Sequence, residues 1–232
     1  MSIVRSSVNS GVYGVKVYDG IIPPQLCDRL MAHFDNSLPS RAIGRVHGEL
    51  RRYSEVSIRR GIENKFLKIA LRKINGGIGK YLDEHIAHPA LREDFKRGIT
   101  DYEPRMKRYS PTDEFQLHSD DSSLLAITRR LAYITYLNDD FEDGETIFES
   151  GIGELARVKP KKGSMLVFPI HPVMMHRGAR VVSGQKYILN GFVNAIVSAA
   201  VDPRGKMTKV EIVTQEAIQL AQRIADDASR TF

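Results

Sequence analysis

The chain contains no tryptophan, a single cysteine and no long apolar run. With Cys27 alone no internal disulfide can form, and a reducing cytoplasm is the expected setting. Cys27 falls beside Leu26 and Leu30 in a helical pattern, which marks a core residue and not a nucleophile. No window reaches the ~18 consecutive apolar residues of a membrane-spanning helix. Met1-Ser2-Ile3-Val4-Arg5-Ser6-Ser7 has no apolar stretch that reads as a signal peptide. Internal repeats and low-complexity tracts are missing too.

What is present suffices for one large domain: 232 residues, 42% of them hydrophobic. The net charge of +6 admits an acidic partner without pointing to nucleic acid. Part of it is concentrated in Arg41, Arg45, Arg51, Arg52, Arg59 and Arg60, opposed only by Glu49 and Glu55. This stretch is expected to be a solvated surface or a loop or, in the sharper reading, a flap that contacts substrate.

Periodicity divides the chain in two. Val12 to Tyr18 alternates like a strand, and Pro23-Pro24 opens a helix with Leu26, Leu30 and Phe34 on one face. A second helix is expected over Ile62 to Ile74, with Ile62, Phe66, Ile69 and Ala70 as its stripe, broken or kinked at Gly76-Gly77 and Gly79 before Tyr81 to Ile86. The first half should therefore be mostly helical. From Asp101 onward the strand candidates are Leu131 to Leu137, Glu145 to Phe148, Leu155 to Val158, Ser164 to Phe168 and Lys186 to Val197. Asp143-Gly144, Lys161-Lys162-Gly163 and Ser183-Gly184 supply turns between them. Many short strands predict a mainly β fold with flanking helices (α+β), a sandwich or jelly roll. Ala217, Leu220, Ala221, Ile224 and Ala228 form one face of a closing helix.

Seven histidines and 28 acids in 232 residues produce about one His-x-Asp/Glu by chance. The chain holds three: His33-Phe34-Asp35, His47-Gly48-Glu49 and His118-Ser119-Asp120. His33 lies in the first helix, where residues two apart do not share a face. His47 lies among glycine and charges, where a loop is expected. His118 ends a stretch leading into an extended region, and on a strand residues i and i+2 point the same way. With His176, two histidines and one carboxylate can occupy one face of an octahedral metal and leave positions open, the ligand set of non-haem Fe(II) oxygenases. Lys186, ten residues beyond His176, can hold the far carboxylate of a dicarboxylic co-substrate. A hairpin would bring the two together. Asp121 points to the opposite strand face.

Further stretches flank these residues. His176 to Lys186 reads His-x-Gly-x-x-Val-x-x-Gly-x-Lys. Tyr109-Ser110-Pro111 precedes His118, although Thr112 stands where a glycine is usual. Tyr136-Leu137-Asn138 leads to Asp143-Gly144-Glu145-Thr146-Ile147-Phe148, and Lys159-Pro160-Lys161-Lys162-Gly163 precedes the strand before His176. In this order, over roughly 101–197, the motifs resemble the prolyl 4-hydroxylase branch of the 2-oxoglutarate- and Fe(II)-dependent dioxygenases. The resemblance implies a double-stranded β-helix buttressed by the helices of the first half. One domain would span 1–232: a strand and helical support over 1–100, the catalytic β-helix over 101–197 and a C-terminal helix over 198–232.

The resemblance also implies roles. His118, Asp120 and His176 would bind Fe(II), and Lys186 would pair with 2-oxoglutarate, with Tyr109, Thr146 and Tyr136 beside it. O2 is the oxidant and ascorbate a supporting reductant; the products are a hydroxylated substrate, succinate and CO2. His171 breaks the ten-residue spacing to Lys186 and is set aside as a ligand. The intact Asp120 argues against a halogenase.

Phe115 stands where the branch carries a tyrosine and Phe192 where collagen-type members carry tryptophan. Arg129, with Arg130 adjacent, matches a substrate-side arginine. Arg51-Arg52-Tyr53-Ser54 resembles the stretch near the loop over the substrate groove. A prolyl residue in a peptide or protein is the leading substrate. The alternatives are a free amino acid, another small metabolite or a non-proline side chain, and more remotely a metal-binding jelly roll without turnover. Nucleic acid is disfavoured, because the anchor is lysine and not the arginine-rich ending of base-demethylating relatives, and no membrane is involved.

Overall fold

The computed structural model describes residues 14–37, 39–46, 49–58, 64–97, 104–121 and 129–194. In chain order the elements are β1 (Lys16–Tyr18), α1 (Pro24–Asp35), β2 (Ser40–Val46), β3 (Glu49–Ser57), α2 (Lys65–His85), α3 (Pro89–Arg97), β4 (Arg105–Tyr109) and β5 (Glu114–His118). There follow β6 (Arg129–Tyr136), β7 (Glu142–Asp143), β8 (Thr146–Ser150), β9 (Gly153–Val158), β10 (Met165–Pro169), β11 (Met175–Gly178), β12 (Val181–Ser183) and β13 (Lys186–Asn194).

The main sheet runs β1-β10-β6-β13-β4-β3-β5-β11-β8-β9, with β2 added on β3 and a separate β7–β12 pair. It curls into a jelly roll because one strand serves two walls. Ser54 to Ser57 of β3 pair with β4, whereas Arg51 and Arg52 pair with Phe115 and Glu114 of β5.

Strand alternation sorts the core into two layers. Leu131 and Tyr133 of β6, Met165 and Val167 of β10, and Leu189 of β13 face the helices, meeting Leu30, Phe34, Leu67, Ile74, Ile78 and Leu82. The intervening Ala132, Tyr136, Leu166, Phe168 and Ile188 face inward with Tyr53, Tyr109 and Phe148. Strands covered on both sides read as continuous apolar runs, as Met165 to Phe168 does. Cys27 belongs to the helix-side core, and burial pushes its thiol up to about 11.

The first half corrects three expectations. Over residues 40–46 and 49–57 the arginine-rich stretch is not a loop: β2 and β3 form a hairpin built into the sheet, so the helices of this half share it with three strands. The glycines do not break α2, which runs for 21 residues. A Cβ at Gly77 would stand 2.4 Å from Met165 Cε, so the missing side chain lets the helix lie close on β10. The buried stripe of α2 is Leu67, Ala70, Ile74, Gly77, Ile78, Tyr81 and Leu82, and Ile69 is exposed. Ile62, Val12, Val197 and the expected C-terminal helix lie outside the described residues. None of the described helices is long and apolar enough to cross a membrane.

Candidate active site

His118 is the last residue of β5, and His176 of β11 lies directly across from it in the antiparallel ladder. Asp120 sits beyond the strand end, in the following turn, so the turn and not strand alternation returns its carboxylate to His118. Oδ1 is 3.6 Å from His118 Nε2, and Oδ2 is 3.5 Å from His176 Nε2. One donor atom from each residue lies within 4.8 Å of the other two.

Backbone carbonyls set the tautomers. His118 Nδ1 donates to Gln116 O at 2.8 Å and His176 Nδ1 to Met174 O at 3.3 Å, leaving both Nε2 lone pairs free toward Asp120. Burial holds the His176 imidazole down to about 4. Burial pushes Asp120 up, but the His176 and His118 rings and the Arg129 guanidinium together bring it down to about 2. Two imidazoles that turn Nε2 inward and one carboxylate are the donor set of a non-haem Fe(II) site. Phe115 stacks on His118 with centroids 3.8 Å apart, and Phe168 meets His176 edge-on at 4.8 Å, fixing both rings.

The competing residues stay apart from this cluster. His33 lies on α1, and its neighbour Asp35 accepts hydrogen bonds from Tyr187 and Arg108. His47 lies outside the described residues. His171 is exposed, and its carbonyl accepts from Ser119 Oγ. Asp121 accepts from the same hydroxyl, in the turn.

Lys186 reaches the site from the opposite wall. β11 and β13 do not pair, so the expected hairpin between His176 and Lys186 is not formed. β12 pairs with β7, Gly184 turns the chain at φ +77°, and β13 then enters between β4 and β6. Lys186 lies opposite Tyr109 and is 4% exposed. Its ammonium donates to Gly144 O at 2.6 Å and lies 5.4 and 5.6 Å from the Tyr109 and Tyr136 ring centroids. No carboxylate stands within ion-pair distance among the described residues, and burial pushes its pKa down to about 7. Tyr136 Oη and Thr146 Oγ1 share a 2.8 Å hydrogen bond beside it. Burial pushes the Tyr109 and Tyr136 phenols upward, so both keep their protons to donate. A buried cation among three hydroxyls, without an anion of its own, fits one carboxylate of a dicarboxylate.

Of the expected substrate residues, Phe115, Arg129 and Phe192 lie at the metal side. Besides stacking on His118, Phe115 approaches Tyr53 at 6.0 Å. Arg129 lies 3.8 Å over the Phe192 ring and donates to Asp120 O at 3.1 Å. Arg51 is the register partner of Phe115, and its Nε is buried without a hydrogen-bond partner among the described residues. Arg52 lies opposite Glu114. Sequence reasoning missed Tyr53 and Lys107 as lining residues. Lys107 precedes Tyr109 by two, so strand alternation alone places both on one face.

A curled antiparallel barrel carries a His-Asp-His face and an opposed buried lysine, the arrangement that the sequence resemblance implies. Residues 104–194 match the sequence profile of the 2OG-Fe(II) oxygenase superfamily. A PKHD-type hydroxylase of Parvibaculum lavamentivorans is 29% identical over 124 residues, 53% of this chain and 55% of that protein. The chain spans about half the length of the curated relatives it matches. The viral collagen prolyl hydroxylase of Paramecium Bursaria Chlorella virus-1, solved with 2OG, superposes with a TM-score of 0.58 at 22% identity, over 82% of this chain and 100% of that one. The Trichoplax adhaerens prolyl hydroxylase, solved with a hypoxia inducible factor peptide fragment, gives 0.60 at 10% identity, over 79% and 84%. Both carry the same fold.

Proposed function

We propose that this protein is an Fe(II)- and 2-oxoglutarate-dependent hydroxylase acting on a prolyl residue of a peptide or protein. The observation that carries the reading is the buried Lys186, with no carboxylate at ion-pair distance among the described residues, facing the same interior as His118, Asp120 and His176. Iron held by those three, with 2-oxoglutarate and O2, supplies the oxidation of a C–H bond to C–OH, with succinate and CO2 as the other products.

The protein's own groups bind and orient. Lys186 takes the distal carboxylate, with Tyr109 and Thr146 donating to it and Tyr136 holding Thr146 in place. The Nδ1–H bonds aim both imidazoles, and Phe115, Phe148 and Phe168 keep bulk water from the ligand rings. Arg129, braced on Phe192, ties the Asp120 backbone to the substrate side. The viral collagen prolyl hydroxylase and the peptide-bound Trichoplax prolyl hydroxylase support a peptide substrate.

The test is incubation of a protein extract with enzyme, Fe(II), 2-oxoglutarate and ascorbate, then mass spectrometry for one added oxygen on proline. The expected product is prolyl oxidation that needs 2-oxoglutarate and is missing with Asp120→Ala. Oxidation only of other side chains, or only of small molecules, would move the assignment to those substrates.

A further inference from the structure

β4 brings a second lysine into the barrel. Lys107 faces inward two residues before Tyr109, across from Ile188 of β13 and Glu55 of β3. It is 7% exposed, with Nζ 4.3 Å from the Tyr53 ring centroid and 5.6 Å from that of Phe115, the ring that covers His118. Its cross-strand neighbour Glu55 is engaged by Arg105 at 3.4 Å. Among the described residues Lys107 makes no ion pair and no hydrogen bond, and its ammonium lies over two aromatic faces. Behind burial, the chief cause in each case, its charge also lowers the pKa of Lys186 and of His176. It is therefore electrostatically part of both halves of the site.

Charge counting shows why this lysine is surplus to the co-substrate. A divalent iron and the Lys186 ammonium already match the Asp120 carboxylate and the 2-oxoglutarate dianion. Lys107 leaves one buried positive charge over, and an unpaired buried charge is costly. Its place along the strands points to what it meets. On β13 the inward residues run Lys186, Ile188, Asn190, Phe192, and Lys107 stands at the second, past the co-substrate anchor and toward the Arg129–Phe192 pair. At the third, Asn190 keeps its side-chain oxygen buried without a hydrogen-bond partner among the described residues.

We propose that Lys107 binds a carboxylate of the primary substrate, so that the hydroxylated prolyl residue either carries its own free carboxylate or stands beside an acidic side chain. This rests on the prolyl reading above. Two sources supply the same chemistry, and two substrate pairs separate them: free L-proline against L-prolinamide, and a short prolyl peptide with Asp against Asn next to the proline.

Binding of each is measured by calorimetry on protein loaded with Zn(II) and a non-reactive 2-oxoglutarate isostere, so that no turnover is needed. Wild type should bind the carboxylate member of one pair roughly ten- to a hundredfold more tightly than its amide. Lys107→Met should abolish the preference and Lys107→Arg keep it. The isostere should still bind to Lys107→Met, which shows that this variant is folded. Equal affinity within both pairs, binding of no member, or a preference that survives Lys107→Met overturns the proposal. Oxidation of a neutral prolyl peptide would leave the prolyl reading standing while this one falls.

Discussion

His118 and His176 are cross-strand partners in the β5–β11 ladder, and Asp120 bridges them with one carboxylate oxygen near each Nε2. Two strands and one turn hold the ligand set, with each ring fixed by a carbonyl behind it and an aromatic beside it. Contacts within the protein alone hold each ligand in place.

Metal affinity should therefore depend on the ligands without the fold depending on the metal. His176→Ala should weaken Fe(II) or Mn(II) binding by about a hundredfold or more, measured by calorimetry under argon, while the far-ultraviolet circular dichroism stays that of wild type. Collapse of the spectrum on metal removal would show that the ion, not the sheet, organises the ligands.

Lys186 gives a pH dependence with a definite sign. Its folded pKa of about 7 lies below the ordinary 10.5. The unfolded chain thus binds more protons between those values, and the ligand-free protein should gain stability as pH rises from about 7 to 10.5. Co-substrate binding runs the other way. The dianion needs the ammonium, so above pH 7 binding takes up a proton and the Kd rises by up to about tenfold per pH unit. Calorimetry in buffers of different ionisation enthalpy measures that uptake directly. Lys186→Met should remove both the pH dependence and most of the affinity.

Two glycines should respond in opposite directions. Gly163 has φ +81°, and a Cβ there would meet Ile22 O at 2.2 Å, where the turn before β10 bonds to the segment leading into α1. Gly163→Ala should cost about 2 kcal/mol or more and lower the Tm by roughly 5 °C. Gly79, inside α2 with nothing within 4 Å of its Cβ position, should tolerate alanine and gain about 0.5–1 kcal/mol. Thermal denaturation of the pair checks both signs.

Arg129 holds the Asp120 backbone and covers Phe192. Arg129→Met keeps its bulk and removes the donor. Steady-state kinetics on the prolyl substrate should show a KM raised roughly tenfold, with a smaller loss in kcat. An unchanged KM would confine this arginine to a scaffold role.

The chemistry was more legible in the sequence than the scaffold around it. His118, Asp120, His176 and Lys186 announce themselves through short spacings and turn residues, which are local. How they meet is not local: His176 and Lys186 come from walls that never pair, and no spacing along the chain encodes that crossover. The β2–β3 hairpin was hidden because arginine and glutamate occupy positions where apolar alternation would normally reveal a strand. α2 was misread at Gly76-Gly77 because low helix propensity yields to tertiary packing when a glycine is what lets helix and sheet approach. Lys107 escaped notice for a related reason: lysine inside an apolar barrel contradicts the expected pattern.

The central claim is that the His118–Asp120–His176 face and Lys186 turn over 2-oxoglutarate with iron. Succinate release, measured with and without Fe(II) for wild type and Asp120→Ala, tests it most directly. The account predicts succinate only from wild type with both Fe(II) and 2-oxoglutarate present. No succinate from wild type with confirmed bound iron and a range of prolyl substrates, or equal release from Asp120→Ala, would contradict it.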